Sequence, residues 1–397
     1  MKLVLKKADV PLKEIIISVT AGLGFYAKQF YLAQSGTLQI GDFFLMLSAF
    51  LVILFRGLHL QKKDAPFLLF IIATIFINCA YYLSYSDIRF FLSILYMLFN
   101  GIAVVFLFRP MLNKVYFLRT IQISCKLVII SQLVFLVTGV GKWEFLGTRY
   151  VGTFNDPNQY GFYVLTCFFC IYLISTIRNE KLHIFWVLLT AVEIIPSAST
   201  GMILAFSVFS IGYIIGLNST EKIVSNKKIV LALFLFFILM LITALFYEQL
   251  LYFLGDLNIF VFQRLTQKLL SSSSYESLGM RFMENRGLVR IIEMPYYFLF
   301  GSGEGGWIRF KPINNEGYEL HSTVLGLAYY YGIIPFCFLI QWVKTNIARI
   351  KPSAVFVYIA LFLEALTLIN HRQPIFWFLI VLASHEALKK QKYTKLI

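Results

Sequence analysis

Polar side chains crowd the start of an apolar helix in the segment GTRYVGTFNDPNQYGFYVL, residues 147–165. Asp156 followed by Pro157 is typical of a helix start, because the carboxylate accepts from free backbone amides and proline fixes φ. Such a cap accounts for one or two polar residues, whereas this segment also contains Arg149. Amide and carboxylate side chains at the rim of a water-filled cavity suit sugar hydroxyls. Two interpretations therefore stay open, a plain helix cap and a sugar-binding rim built from Asn155, Asp156 and Asn158.

A histidine precedes a second apolar helix in the segment EGYELHSTVLGLAYYYGIIP, residues 316–335. A neutral imidazole at His321 can accept a proton from a substrate hydroxyl near neutral pH, and Glu319 could orient it or act in its place. The alternative is an interfacial histidine that caps the helix together with Ser322. His371 and Arg372 form another candidate pair, for which a plain interfacial turn is the alternative.

Arginines gather in the stretch MRFMENRGLVRIIEMPYYFLF, residues 280–300. Arg286 and Arg290 lie four residues apart on a predicted helix, where like charges repel each other. An anion between them would reverse that effect, because guanidinium groups bind phosphate oxygens through two hydrogen bonds. Arg149 and Arg281 can reach the same aqueous face. The alternative is that Arg290 pairs with Glu293 and that the other arginines are solvated.

The chain as a whole has the composition of a membrane protein. Of its 397 residues, 59% are hydrophobic and 14% are charged, and the mean hydropathy is +0.76; soluble domains average roughly half apolar and a quarter charged. The 35 Lys and Arg against 20 Asp and Glu are explained mostly by basic cytoplasmic loops that set orientation, so we expect no nucleic-acid partner. The sequence has no zinc-type, P-loop or dinucleotide motif, so we expect no metal and no cofactor.

Apolar segments predict an all-α, polytopic fold of about twelve transmembrane helices. They fall near residues 12–33, 38–55, 65–84, 90–108, 120–140, 159–177, 182–197, 200–217, 228–247, 322–342, 353–369 and 374–388. Basic residues cluster in every second connection, which predicts that both termini are cytoplasmic. One large extracytoplasmic loop with short helices is expected over about residues 248–320. We divide the single membrane domain into residues 1–247, the loop 248–321, and residues 322–397 with a basic tail.

Four segments resemble, in order, motifs of the O-antigen polymerase and ligase superfamily of bacterial envelope glycan assembly. RYVGTFNDPNQYG is similar to its R–x–x–G–T–F–x–(D/N)–P–N segment, and IIPSASTGMILAF to its S–x–S–R–x–x–x–L segment. MRFMENRGLVRIIEMPYYFLFGSGEGGW resembles its R…P–x–x–x–x–G–x–G stretch, and LHSTVLGLAYYYGIIP its H–(N/S)–x–x–L…G–(I/L)–(I/V)–G stretch. Two positions depart from the pattern: Thr200 stands where the family often has arginine, and Pro335 replaces a frequent glycine.

The resemblance implies a metal-independent glycosyltransferase of the bacterial plasma (inner) membrane that polymerises undecaprenyl-diphosphate-linked repeat units on the outer face. A ligase that transfers the glycan to lipid A core shares these motifs and stays an alternative. A lipid-linked saccharide flippase is an alternative of another class. Expected partners are undecaprenyl-diphosphate-linked saccharides, membrane lipids and a chain-length regulator protein. The implied catalytic residues are His321, Arg281 and Arg149; the implied diphosphate-binding residues are Arg149, Arg281, Arg286 and Arg290; and the implied sugar-binding residues are Asn155, Asp156, Asn158 and Glu319.

Overall fold

The computed structural model describes residues 11–32, 39–58, 60–144, 148–217, 287–306 and 319–389. The predicted span 228–247, most of the predicted loop 248–321, and with it Arg281 and Arg286, lie outside the described residues. The described part of the chain is mostly helical.

The chain up to residue 217 supplies eight of the described helices. They are α1 Leu12–Ala27, α2 Ile40–Arg56, α3 Ala65–Tyr85, α4 Ile88–Ile102, α5 Val115–Thr138, α6 Pro157–Ile177, α7 Ile184–Ser197 and α8 Thr200–Leu217. A π-helical turn, Ala103–Phe108, and a last turn, Arg109–Met111, prolong α4. These helices lie within a few residues of the predicted segments.

The chain after residue 217 supplies two short helices and four longer ones among the described residues. They are α9 Val289–Glu293, α10 Tyr297–Phe300, α11 Thr323–Tyr331, α12 Ile333–Ile347, α13 Pro352–Thr367 and α14 Pro374–Leu382. Short 3-10 turns, Lys62–Asp64 and Glu386–Leu388, precede α3 and follow α14.

Four described helical stretches are long and apolar enough to cross a membrane: Lys62–Tyr85, Ile88–Met111, Val115–Thr138 and Pro157–Ile177. Shorter apolar helices accompany them. Helices α1 to α3 also expose large apolar side chains such as Phe43, Phe50, Phe76 and Leu83, which suits a lipid environment better than water. The chain thus has the character of a membrane protein, while the count of twelve spans stays a prediction.

Helix α6 lies at the centre of the bundle and packs against α5, α7, α8 and α14. From Tyr160 to Ile174 every residue is buried, so this helix is apolar on all sides because it faces other helices on all sides. Its polar first turn therefore opens into the protein interior and not onto a bare surface.

Two features depart from the predicted pattern of continuous transmembrane helices. Strands β1 Lys142–Glu144 and β2 Arg149–Gly152 form an antiparallel hairpin, stabilised by edge-to-face packing of Trp143 on Tyr150 at 5.2 Å between ring centroids.

The predicted span 322–342 is also divided at Gly332, whose φ is +77°. A β-carbon there would lie 2.6 Å from the Leu299 carbonyl oxygen. The chain has to bend at this point because another segment packs against the break.

The segment that packs there is Gly301–Gly306, which we call the glycine-rich segment. The amides of Ser302 and Gly303 donate to the carbonyls of Tyr329 and Tyr330 at 3.0 and 2.8 Å. Those carbonyls belong to the last turn of α11, where a helix leaves its acceptors unsatisfied. The sequence predicts only a turn for these glycines, whereas the structure places them inside the helical bundle.

Ion pairs mark the end of the bundle opposite to the start of α6. Arg109, at the end of the α4 extension, pairs with Asp64 at 2.6 Å and donates to Asn346 of α12 at 2.8 Å. Arg56, the last residue of α2, pairs with Glu14 in the first turn of α1 at 2.6 Å. These contacts fix the directions of the helices, so that α6 and α11 begin, and α13 ends, at the other end of the bundle.

Candidate functional site

A polar pocket of about 190 Å³ lies where α6, α11 and α14 begin and α13 ends. We call it the polar pocket and define it by its lining residues, Tyr96, Asp156, Asn158, Gln159, Phe162, Glu319, His321, Leu368, Ile369, Asn370, Arg372 and Gln373. Side chains more than two hundred positions apart in the chain therefore share one cavity. Four of the predicted site residues, Asp156, Asn158, Glu319 and His321, are among them.

A larger groove of about 680 Å³ runs between α11, α12, α13 and α14. Its lining residues are apolar apart from Thr323, Lys344, Tyr358 and Trp377, and the surface that faces the groove is almost wholly apolar. Apolar side chains offer no group that moves a proton or stabilises a charge. The chemistry that this part of the protein can perform therefore belongs to the smaller polar pocket.

The first turn of α6 carries the polar run found in the sequence. Asp156 caps the helix, because its Oδ1 accepts from the amides of Asn158 and Gln159 at 2.8 and 3.2 Å. The Gln159 side chain accepts from the hydroxyl of Tyr31 at 2.6 Å. The cap thus exists, but it uses one oxygen of one side chain. Asn155 lies just before this turn and does not line the polar pocket.

Arg149 lies behind the first turn of α6 and is only 5% exposed. Its Nη2 donates to Oδ1 of Asn158 at 3.0 Å, and its Nε donates to the carbonyl oxygen of Ser197 at 2.9 Å. The guanidinium therefore connects the hairpin, α6 and the end of α7. In this arrangement Arg149 acts on the polar pocket through Asn158.

His321 lines the polar pocket, and its Nδ1 lies 2.7 Å from the backbone carbonyl oxygen of Glu319. A carbonyl only accepts, so the tautomer that fits has its proton on Nδ1 and leaves Nε2 as an acceptor. The cap of α11 is provided by Ser322, whose Oγ accepts from the amide of Leu325 at 3.2 Å. The imidazole is therefore available for a role other than capping.

Arg372 is the cation that the structure places in the wall of the polar pocket. It contacts the Glu319 carboxylate, and its Nε and Nη2 donate to Oε1 of Glu304 at 2.8 and 2.6 Å. His371, fully buried beside it, contacts the same oxygen through Nε2 at 3.0 Å. A plain interfacial turn does not describe this pair, because both side chains converge on one buried carboxylate.

Glu304 is the residue of this cluster that the sequence does not reveal. It belongs to the glycine-rich segment, is 1% exposed, and accepts from the Tyr331 hydroxyl through Oε2 at 2.6 Å. Burial alone would raise the pKa of this carboxyl. The charges of His371 and Arg372, and the hydrogen bonds from His371 and Tyr331, outweigh burial, so the pKa of Glu304 lies well below its ordinary value.

Arg290 is placed apart from the polar pocket. It lies on α9, is 7% exposed, and its carbonyl oxygen accepts from the Tyr329 hydroxyl at 3.3 Å. Of the four predicted diphosphate-binding arginines, Arg149 and Arg290 are thus buried. Arg281 and Arg286 lie outside the described residues.

Within the described ranges, no group of three or more His, Cys, Asp or Glu side chains is arranged to hold a metal ion. The polar pocket offers hydrogen-bond donors and acceptors, one imidazole, two carboxylates and one guanidinium. Groups of this kind can bind hydroxyls, accept a proton and orient a polar substrate. The comparisons with known proteins add no assignment, since no family model and no curated protein matches the chain.

Proposed function

We propose that the protein is a membrane glycosyltransferase that polymerises undecaprenyl-diphosphate-linked oligosaccharide repeat units into an O-antigen or capsule-like polysaccharide. The observation that supports it is the meeting of His321, Glu319, Asp156 and Asn158 in one polar pocket at one end of an apolar helical bundle. Asp156, Asn158 and His321 belong to two of the segments that resemble the polymerase and ligase superfamily, and Glu319 directly precedes the second of them. The reaction releases undecaprenyl diphosphate.

The transfer requires a base for the attacking hydroxyl, and His321 is suited to that role. The acceptor oxygen forms a bond to the anomeric carbon of the donor sugar while the bond from that carbon to the diphosphate breaks. Nε2 of His321 takes the hydroxyl proton, and the bonding electron pair leaves with the diphosphate. The contact of Nδ1 with the Glu319 carbonyl holds the ring in the tautomer that this step needs.

The developing charge on the leaving diphosphate requires cationic groups. The arginines assigned to it are Arg149, Arg281, Arg286 and Arg290. Arg149 supports the site by holding Asn158, and Arg281 belongs to the stretch that resembles the family's arginine motif. Asn155, Asp156, Asn158 and Glu319 are assigned to the sugars. No metal takes part in this scheme.

The distribution of basic residues between the two ends of the bundle supports a pocket on the outer face of the bacterial plasma membrane. At the end opposite to the pocket, Arg56 and Lys114 both pair with Glu14, and Arg109 pairs with Asp64. Basic residues favour the cytoplasmic side, so the pocket faces outward and both termini face inward. The twelve-span arrangement with its large outer loop belongs to the same proposal.

The experiment incubates the purified protein, reconstituted in lipid nanodiscs, with lipid-linked repeat units, and separates the products on a gel. A ladder with repeat-unit spacing supports the polymerase. Transfer to added lipid A core without a ladder identifies a ligase. Loss of substrate from the outer leaflet of sealed vesicles without any new glycosidic bond identifies a flippase and refutes the proposal. Adding a chain-length regulator protein to the polymerase should narrow the ladder.

A further inference from the structure

The charge balance of the polar pocket determines which part of the substrate it can take. Asp156 and Glu319 are carboxylates in its wall, and Arg372 is the one cationic side chain among its lining residues. Two negative charges against one positive leave the lining acidic when His321 is neutral. A diphosphate carries several negative charges and would lie against both of these carboxylates there. The pocket is therefore better suited to a sugar than to the leaving group.

The guanidinium of Arg372 keeps one nitrogen, Nη1, that can donate hydrogen bonds to a sugar. Nε and Nη2 are bound by Glu304 and Glu319, and Nη1 has no protein acceptor among the residues that the structure describes. The side chain is 21% exposed and lines the pocket. A carboxylate that accepts, next to a guanidinium that donates, matches two neighbouring hydroxyls of a sugar, because each hydroxyl both donates and accepts.

Glu304, which is buried and does not line the pocket, binds this guanidinium. Its own position is fixed from three directions: its amide donates to Oδ1 of Asn78 at 2.8 Å, its carbonyl accepts from Ser93 at 2.8 Å, and its Oε2 accepts from Tyr331 at 2.6 Å. A buried carboxylate that is held in this way leaves the guanidinium little freedom to turn, since breaking the pair would leave a buried charge unpaired.

We infer that Arg372 is a sugar-binding residue of the polar pocket, acting as a pair with Glu319, and that Glu304 is the residue that positions it. The ligand class is a neutral or amino sugar of the repeat unit, presented through adjacent hydroxyls. The inference rests on the proposed transfer of lipid-linked sugars and adds two residues to it. It also places the diphosphate outside this pocket.

The test measures direct binding, so that it does not depend on turnover. The probe is the repeat-unit oligosaccharide freed from its lipid diphosphate by mild acid, titrated by calorimetry into the full-length protein in nanodiscs. We expect Arg372→Lys, which keeps the charge and loses the planar fork, and Glu319→Gln each to raise Kd at least tenfold. Glu304→Gln should raise Kd about fivefold or more. Arg56→Gln, at the opposite end of the bundle, is the matched control and should leave Kd unchanged.

A positioning role of Glu304 can be distinguished from a general structural role by the Kd of a double variant. Glu304→Gln added to Arg372→Lys should raise Kd no further, because there is no longer a guanidinium to position, whereas a general loss of structure would add to the effect. Inorganic pyrophosphate at the same concentration should not displace the oligosaccharide. Wild-type affinity in Arg372→Lys, or displacement by pyrophosphate that weakens in Arg372→Lys, would overturn the inference, as would a wild-type protein that binds no oligosaccharide. Binding without any ladder would refute the proposed transfer alone.

Discussion

Arg149 donates a hydrogen bond from Nη2 to Oδ1 of Asn158 at 3.0 Å, and this bond ties the hairpin to the first turn of the central helix. Asn158 lines the polar pocket, whereas Arg149 is buried behind it. The arginine that begins the RYVGTFNDPN segment is therefore connected to the site through the asparagine that ends it. The spacing of the segment has a structural reason, since the strand and the helix start have to meet.

Removal of this guanidinium should disable the site. We expect Arg149→Ala to lower polymer formation at least a hundredfold while the amount of protein in the membrane stays within about twofold of wild type, because a buried partner of Asn158 is lost. Asn158→Ala should have a similar effect, and the double variant should be no worse than either one. Arg178→Ala, at the far end of α6, is the control. Full ladders from Arg149→Ala would show that the site does not need Arg149.

Substitution of the proposed base should act on turnover. His321→Gln keeps a polar side chain but cannot accept the proton in the same way, so we expect kcat to fall by about 10²–10⁴ with little change in KM. His183→Gln is the matched control, since His183 lies at the start of α7 and lines no part of the polar pocket. An unchanged kcat in His321→Gln, measured with lipid-linked repeat units, would show that another group takes the proton.

The acid stability of the protein should depend on Glu304. Its pKa in the folded protein lies below the ordinary value of 4.5, so its contribution to stability is fully present above about pH 4.5 and is lost as the pH falls below that value. We expect Glu304→Gln to lower stability by about 3 kcal/mol at pH 7. The difference in Tm between wild type and Glu304→Gln should shrink as the pH falls below about 4.5. A difference that keeps growing below about pH 4.5 would contradict this assignment.

The break between α11 and α12 should tolerate no side chain. Alanine at Gly332 would adopt a φ of +77° and meet the Leu299 carbonyl and the Gly301 amide at 2.6 and 2.9 Å. Gly57→Ala is the matched control, because Gly57 has a φ of +73° and nothing within 4 Å of an added β-carbon. We expect a loss of about 1 kcal/mol for Gly57→Ala and of at least about 3 kcal/mol for Gly332→Ala in thermal unfolding. Equal losses would show that the close packing of the glycine-rich segment does not matter.

The orientation of the bundle can be checked with a reporter inserted after residue 300. This position precedes the glycine-rich segment, which packs at the same end of the protein as the polar pocket. We expect alkaline phosphatase inserted there to be active, as an extracytoplasmic enzyme, and a fluorescent protein inserted in the Arg56–Lys63 connection to report the cytoplasm. Swapped signals would reverse the topology.

Local patterns in the sequence predict the local parts of this structure. Asp156 and Pro157 predict the start of α6 correctly, and hydropathy predicts most helices within a few residues, since both signals depend on neighbours in the chain. The motif-like segments also make His321 and Asp156 candidate site residues from the sequence. The structure then places both in the polar pocket.

The features that the sequence misses depend on distant contacts. Glu304 contacts His371, 67 positions away in the sequence, and Asn78, 226 positions away. The local segment GSGEGG contains no pattern that predicts these partners. The helix break at Gly332 has the same origin, because only the packing of the glycine-rich segment requires it. The sequence does not indicate the hairpin, because its strands are too short to show an alternating pattern.

The proposed function requires that a sugar bound in the polar pocket takes part in transfer from a lipid diphosphate. The stoichiometry of the products tests this requirement. Undecaprenyl diphosphate and new glycosidic bonds would be counted by mass spectrometry after single-turnover incubation of the nanodisc-embedded protein with lipid-linked repeat units. We expect one undecaprenyl diphosphate released for each bond formed, with both yields at least a hundredfold lower in His321→Gln. Intact lipid-linked units, with no released diphosphate at any protein concentration, would contradict it.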